Sequence, residues 1–275
     1  MVAKRPASST YRLQLHAGFT FDDAAAVVPY LTLVGAWPLT EERLAGYMEK
    51  ATREAKRHTS WTSPNPTYDR SLRQFVSCAI ADPALMADVA SFVARILVPG
   101  RINALAQTLI KLTAPGVPDI YQGTDLWSLD LVDPDNRRQV DFDVRRRLLA
   151  ELEGLPAAEI GARADSGLPK LWVIRQALAL RRRRPEGFGA DGTYTPLNAS
   201  GPRASHVVAF GRGHAVVTIA PRLSVKAASD WRDTRVTLPR GAWQNVLTGD
   251  RYPACVQLPE LWRDFPVALL EREVD

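Results

Sequence analysis

The spacing of apolar residues changes character several times along this chain. Tyr11-Arg-Leu-Gln-Leu-His16 alternates and stops at Gly18, which predicts a short strand. Thr20, with Asp22 and Asp23 behind it, predicts a helix start: the hydroxyl caps free amides and the acids complement the positive end of the dipole. That helix runs through Ala24–Val28, meets Pro29 and loses its period near Leu31. Leu33-Val-Gly-Ala-Trp-Pro38 is apolar and broken by Gly and Pro, and Thr40 then caps a second helix with Glu41 and Glu42 in its first turn. Leu44, Tyr47, Met48, Ala51 and Ala55 keep helical spacing. After the turn Thr62–Pro66, further helices are expected at about 67–81, 83–98 and 101–114, with Asp82 as a cap and Pro83 at a first helical position. Pro115-Gly-Val-Pro118 ends the helical run, Asp119–Tyr121 reads as a short strand, and 125–141 is a loop rich in Asp, Asn and Arg.

Beyond that loop, helices are expected at about 143–153 and 170–184. From residue 205 the pattern becomes strand-like, at His206–Phe210, Ala215–Ile219, Thr234–Leu238, Trp243–Leu247, Val256–Leu258 and Val267–Leu270, with turn signals between. This end is expected to be a small antiparallel β-sandwich. No internal repeat or low-complexity tract interrupts the series.

Composition narrows the class. Hydrophobic residues make up 46% of the 275 and charged residues 24%, as in globular domains. The net charge of +5 comes from arginines spread along the chain, with no reading motif, so nucleic acid is not an expected partner. Arg181–Arg184 closes a predicted helix, where cations suit the dipole. The two cysteines, Cys78 and Cys255, stand far apart among apolar residues and read as free core thiols of a reducing cytoplasm. Lys4 and Arg5 precede no apolar run, and no stretch reads as long enough to span a membrane, so neither a signal peptide nor a membrane is expected. The four histidines are isolated; neither metal nor cofactor is expected.

Gly116-Val-Pro-Asp-Ile-Tyr-Gln-Gly-Thr-Asp125 resembles the last barrel strand of the α-amylase superfamily, where Gly-x-Pro-x-Ile-Tyr-x-Gly-x-Glu lines the sugar cleft. Leu129-Asp-Leu-Val-Asp-Pro-Asp-Asn-Arg-Arg138 and Val140-Asp-Phe142 narrow the resemblance to malto-oligosyltrehalose synthases of glycoside hydrolase family 13. Leu33–Pro38, Thr59–Thr62 and Phe265–Leu270 are similar to the same family, as is Thr10–His16 with Gly18–Thr20. Asp125 stands where the family usually has Glu. The resemblance implies a cytoplasmic enzyme of trehalose biosynthesis, an isomerase that converts the reducing-end α-1,4 bond of a malto-oligosaccharide into an α,α-1,1 bond.

The resemblance also implies a gap. Family members continue after the opening helix into strands that carry an aspartate nucleophile, a glutamate acid/base and a third aspartate. Here the text beyond Tyr30–Thr32 already resembles the region after the third of these. The expected architecture is therefore α/β plus all-β: an incomplete, largely helical TIM-barrel remnant followed by the β-sandwich. Its parts are 1–31 (first strand and helix), 32–154 (helical segment with last strand and loop), 155–204 (linking helices) and 205–275 (β domain). A closed barrel needs eight strands, and the pattern supplies two, whose other edges would be open and prone to self-association.

Retaining glucosyl transfer needs two carboxylates roughly 5–5.5 Å apart. Asp119, Asp125, Asp130, Asp133, Asp135 and Asp141 match no catalytic position of the family, so no catalytic residue is assigned and the chain is expected to be inactive alone. A malto-oligosaccharide or α-glucan is the expected ligand, with Tyr121, Asp125, Trp127, Asp133, Asn136 and Arg137 as substrate-binding candidates. Two readings stand for Asp133, Asn136 and Arg137: contacts to sugar hydroxyls, or turn caps with pairing among Asp, Arg137 and Arg138, which local Asp and Asn chemistry favours. Trp37, Trp61, Trp127 and Tyr121 could stack on glucose, although aromatics bury large areas and a core role is the commoner one. A non-catalytic carbohydrate-binding module and a subunit of a split enzyme remain the alternatives.

Overall fold

A computed structural model describes residues 23–227 and 230–273. The strand expected at Tyr11–His16 and the cap expected at Thr20 lie outside the described residues. The chain divides into two compact units, one of residues 23–93 with 129–135, the other of 94–128 with 136–273 among the described residues.

The first unit is helical. α1 (Asp23–Gly35) runs through Pro29 and past the point where the sequence pattern changes near Leu31. α2 (Glu41–Ala55) starts as expected: Thr40 accepts a bond from the Arg43 amide at 3.4 Å. α3 (Pro66–Ala81) is capped by Asn65, whose side chain accepts from the Tyr68 amide at 3.2 Å. Leu33, Leu44, Met48, Leu72, Phe75, Val76, Val89 and Val93 form the core, with Leu131 packed against it. Asp82 accepts from the amides of Ala84 and Leu85 and so opens α4 (Pro83–Thr113).

α4 corrects two expectations. It is one helix where two were expected, 83–98 and 101–114, because Pro99 sits inside it without ending it. Proline removes one backbone bond and crowds the preceding turn, but the apolar residues after it restore the packing that keeps the helix intact: Leu105, Leu109 and Leu112 are all buried. Counted whole, α4 is long and apolar enough to cross a membrane by length and composition, a property hidden when the stretch is divided at Pro99.

In the second unit, α5 (Phe142–Glu151), α6 (Ala157–Ala162), α7 (Leu168–Arg183) and the short α8 (Pro185–Phe188) precede the strands. These are β1 (Tyr194–Leu197), β2 (Ala199–Ser200), β3 (Val207–Arg212), β4 (Val216–Pro221), β5 (Arg235–Thr237), β6 (Trp243–Asn245), β7 (Arg251–Tyr252), β8 (Cys255–Gln257) and β9 (Ala268–Arg272). One-turn helices α9 (Ser224–Ala227) and α10 (Leu258–Leu261) interrupt them. Two antiparallel sheets result, ordered β1-β3-β4-β9-β6-β7 and β2-β5-β8.

β4 shows why the large sheet lies at the centre of this unit. All six of its residues are buried. Val216 and Ala220 point into a core shared with α4, α5 and α7, while Val217 and Ile219 point into a second core shared with the small sheet. A strand covered on both faces loses the polar alternation of a half-exposed one. Thr218, the one polar side chain on β4, bonds Thr113 of α4 at 2.9 Å.

Two further corrections follow. Asp119–Tyr121 forms no strand; the stretch has no regular secondary structure and no ladder partners. A strand exists only where a neighbour takes its backbone bonds, and no described residue pairs there. The cysteines are not core thiols: both are free and exposed. Cys255 alternates outward from buried Val256 on β8, and Cys78 lies on the outer side of α3.

Candidate functional site

The sequence places its best sugar-cleft match on residues 116–125, and here the second unit forms a tightly tied loop. Thr124 donates its amide to the Tyr121 carbonyl at 3.0 Å and Leu126 to Gly123 at 3.3 Å, giving two overlapping turns. Gly123 is required: its φ is +84°, and a Cβ there would meet Arg145 Nη2 at 2.7 Å.

Arg145 organises this loop. Asp141 caps α5 by accepting from the Val144 amide at 2.9 Å, which sets the helix start so that Arg145 turns back. Its guanidinium donates to the Gly123 carbonyl, to the Asp141 carbonyl at 2.9 Å and to the Asp125 carboxylate, which lies 2.9 Å away at its nearer oxygen. Asp125 is therefore taken up by the Arg145 Nε–H alone, which stands 3.2 and 2.9 Å from its two oxygens. Arg145→Ala should release residues 121–127, at a local cost of about 1–3 kcal/mol. Faster amide exchange confined to that segment would confirm this, and unchanged protection would refute it.

Trp127 is fixed from several sides. Its indole N–H donates to the Ala164 carbonyl at 2.6 Å. Lys170 Nζ stands 5.9 Å and the Arg101 guanidinium 6.0 Å from its ring centroid, within range of cation–π attraction. Lys170 also donates to the Leu126 carbonyl at 3.1 Å, and Lys111 to the Asp119 carbonyl at 2.7 Å. Burial lowers the pKa of Lys170, the charge of Lys111 lowers it further, and Asp125 opposes them. Tyr121, by contrast, keeps 56% of its surface exposed.

Asp133 belongs to a different loop, in the first unit. Lys50 donates to its carbonyl at 2.7 Å and stands 4.0 Å from its carboxylate. Two residues on, Asp135 accepts from Arg43 at 2.9 and 2.8 Å and from the Leu131 amide at 2.6 Å, while Arg43 also donates to the Leu129 carbonyl. The bonded Arg43 guanidinium holds the Asp135 carboxyl below its ordinary pKa, with burial opposing and the Leu131 amide assisting. Asn136 has a buried Oδ1 with no bonding partner among the described residues, and Arg137 ends the one-turn 3-10 helix Asp135–Arg137 at an exposed position.

Of the six candidates, the structure brings Tyr121, Asp125 and Trp127 onto one tied loop and places Asp133 on the other unit's loop. Arg43, Arg145 and Lys170, which hold these loops, went unmarked in the sequence. Only the Asp141 cap, by fixing which residue of α5 turns back, could have pointed to Arg145. Near residues 139–146 lies an open cavity of about 540 Å³ lined by Gln139, Val140, Asp141, Phe142, Asp143 and Arg146. Among the described residues no three metal-ligating side chains gather.

No family model matches the chain. Two curated relatives, each described as a putative maltooligosyl trehalose synthase and from the CDC 1551 and H37Rv strains of Mycobacterium tuberculosis, are 39% identical over 247 residues. The match covers 87% of this chain and 30% of each relative. The solved maltooligosyltrehalose synthase from Arthrobacter ramosus superposes with a TM-score of 0.81 at 38% identity, over 90% of this chain and 32% of that one. The hypothetical maltooligosyl trehalose synthase of Sulfolobus tokodaii gives 0.70 at 26% identity, again over 90% and 32%. Nearly nine-tenths of the chain thus has its counterpart in these proteins, and it spans about 30% of the curated relatives' length.

Proposed function

We propose that this chain carries the glucan-contacting part of a malto-oligosyltrehalose synthase without the carboxylates that break and remake the glucosyl bond. Its 116–127 segment and the helices before it correspond in this reading to an incomplete TIM-barrel remnant. The observation that carries the reading is the state of Asp125. It closes the family's cleft motif, and it is engaged by Arg145. Its carboxylate lies 2.9 Å from the Arg145 Nε and is committed to a structural ion pair that ties the loop, not left open toward a substrate. In this reading the bond-breaking carboxylates belong to the part of the family's length that has no counterpart here; the match spans 30% of the curated relatives. Two exposed, unpaired cysteines suit a reducing cytoplasm.

Incubating the chain with maltopentaose and assaying for loss of reducing ends should give no turnover. Conversion to a non-reducing product would overturn the reading. Affinity gels containing amylose or glycogen should nevertheless retard the chain.

A second reading, a subunit completed by another polypeptide, is favoured by α4. From Ala94 to Ala104 none of its side chains is fully buried, although Ile96, Leu97, Val98, Ile102 and Ala104 are apolar. A helix stretch of that composition normally packs against a partner. Co-expression with the remaining two-thirds of a relative should restore mutase activity if this is so.

A further inference from the structure

The connection between α2 and α3 presents one aromatic ring in a fixed and open position. Ser60–Ser63 is a closed turn: the Ser60 amide donates to the Ser63 carbonyl at 3.2 Å, and the Ser63 amide donates to Ser60 Oγ at 2.9 Å. Buried Thr59 anchors it from behind by accepting from the Asn65 amide at 3.0 Å, and Asn65 in turn caps α3. Trp61 stands within this turn with 55% of its surface exposed.

Two contacts set the orientation of the ring. Its indole N–H donates to Glu54 Oε1 at 3.2 Å, and the Arg53 guanidinium lies 4.7 Å from its centroid. Arg53 is itself held, 2.9 Å from Glu49 and 3.1 Å from Asp69. The cation thus backs one face of the indole, while more than half of the residue's surface stays open to solvent. The hydroxyls of Ser60 and Thr62, 3.4 Å apart, flank the ring in sequence. A ring already locked in place loses little freedom when a ligand settles on it.

We propose that Trp61 is a stacking platform for a glucose ring of an α-1,4-glucan, with Ser60 and Thr62 bonding sugar hydroxyls at its rim. The chemistry of the surroundings selects the ligand. A pyranose has an apolar C–H face and a polar edge, matching one aromatic plane set among Ser60, Thr62, Ser63 and Asn65. An apolar peptide would need a wider greasy patch than this turn offers. The proposal rests on the glucan reading above and adds to it a binding point on the first unit.

Titration calorimetry with maltoheptaose, using the whole chain, tests it. Trp61→Ala should weaken binding at least tenfold, Trp61→Phe by less, and Arg53→Gln to an intermediate degree by freeing the ring. Circular dichroism and thermal melting should be unchanged for Trp61→Ala, since the side chain is exposed. If wild type and Trp61→Ala bind equally, the platform is refuted while the glucan reading survives. If the wild-type chain binds no maltoheptaose and is not retarded by glycogen, both fail. Equal binding of cellohexaose and maltoheptaose by wild type would refute the assignment to α-1,4-glucan.

Discussion

Trp243→Ala is expected to lower the stability of the second unit by about 3–5 kcal/mol, the usual cost of deleting a large buried aromatic. Trp243 is 1% exposed and packs in the core between the two sheets. It lies on β6, whose partners are β7 through Tyr252 and β9 through Arg272. Two losses combine. The cavity removes dispersion contacts that a close-packed interior cannot readily restore. The indole N–H also donates to the Pro239 carbonyl at 2.9 Å, so its removal strips that carbonyl of a partner. Trp243→Phe separates the two, keeping much of the ring and losing the bond, and should cost markedly less. Urea unfolding followed by amide exchange in β4, β6 and β9 measures both. A change below about 1 kcal/mol for the alanine variant would mean that the site collapses without a cavity.

Asp135→Ala should detach residues 129–135 from the rest of the first unit, at a cost of about 2–3 kcal/mol for a largely covered charged pair with further hydrogen bonds. The Arg43 and Asp135 side chains are 17% and 12% exposed, so water weakens their attraction only in part. The change removes both carboxylate bonds to Arg43 and the bond from the Leu131 amide, and leaves Arg43 with the Leu129 carbonyl. Arg43→Ala and the double variant should lose about the same as either single change, because one network is broken once. The pH dependence follows from the depressed pKa. A carboxyl whose folded pKa lies below its unfolded value contributes stability in full above the unfolded value, about 3.9 for Asp. That contribution declines as pH falls and is gone once the folded pKa is passed. Amide exchange of 129–135 at neutral and acid pH reads it out. A protection difference between wild type and Asp135→Ala that stays constant down to acid pH would contradict the ion-pair account.

The helices of the first unit were legible because their signals are local. Thr40 and Asp82 sit beside amides that need acceptors, and the Leu44–Met48 spacing marks a buried face whatever the rest of the chain does. The main strands were found for the same reason, within a residue or two. β1, β2 and β7 were not, because strands so short or so exposed exist through their partners: Tyr194–Leu197 is held by pairing with Ala209–Arg212.

Sequence alone determined the family likeness, the capped helices and the strand-rich end. Tertiary structure alone decided that α4 runs through Pro99, that Asp119–Tyr121 makes no strand, and that the helices and both sheets of the second unit share their cores. It alone joined Asp125 to Arg145 and Asp135 to Arg43, and left Trp61 open rather than buried. The division has a physical cause. Caps and periodicity act across a few residues, whereas strand pairing, ion pairing and burial depend on groups that folding brings together from 20 to 92 positions apart, as in the Arg145–Asp125 and Arg43–Asp135 pairs.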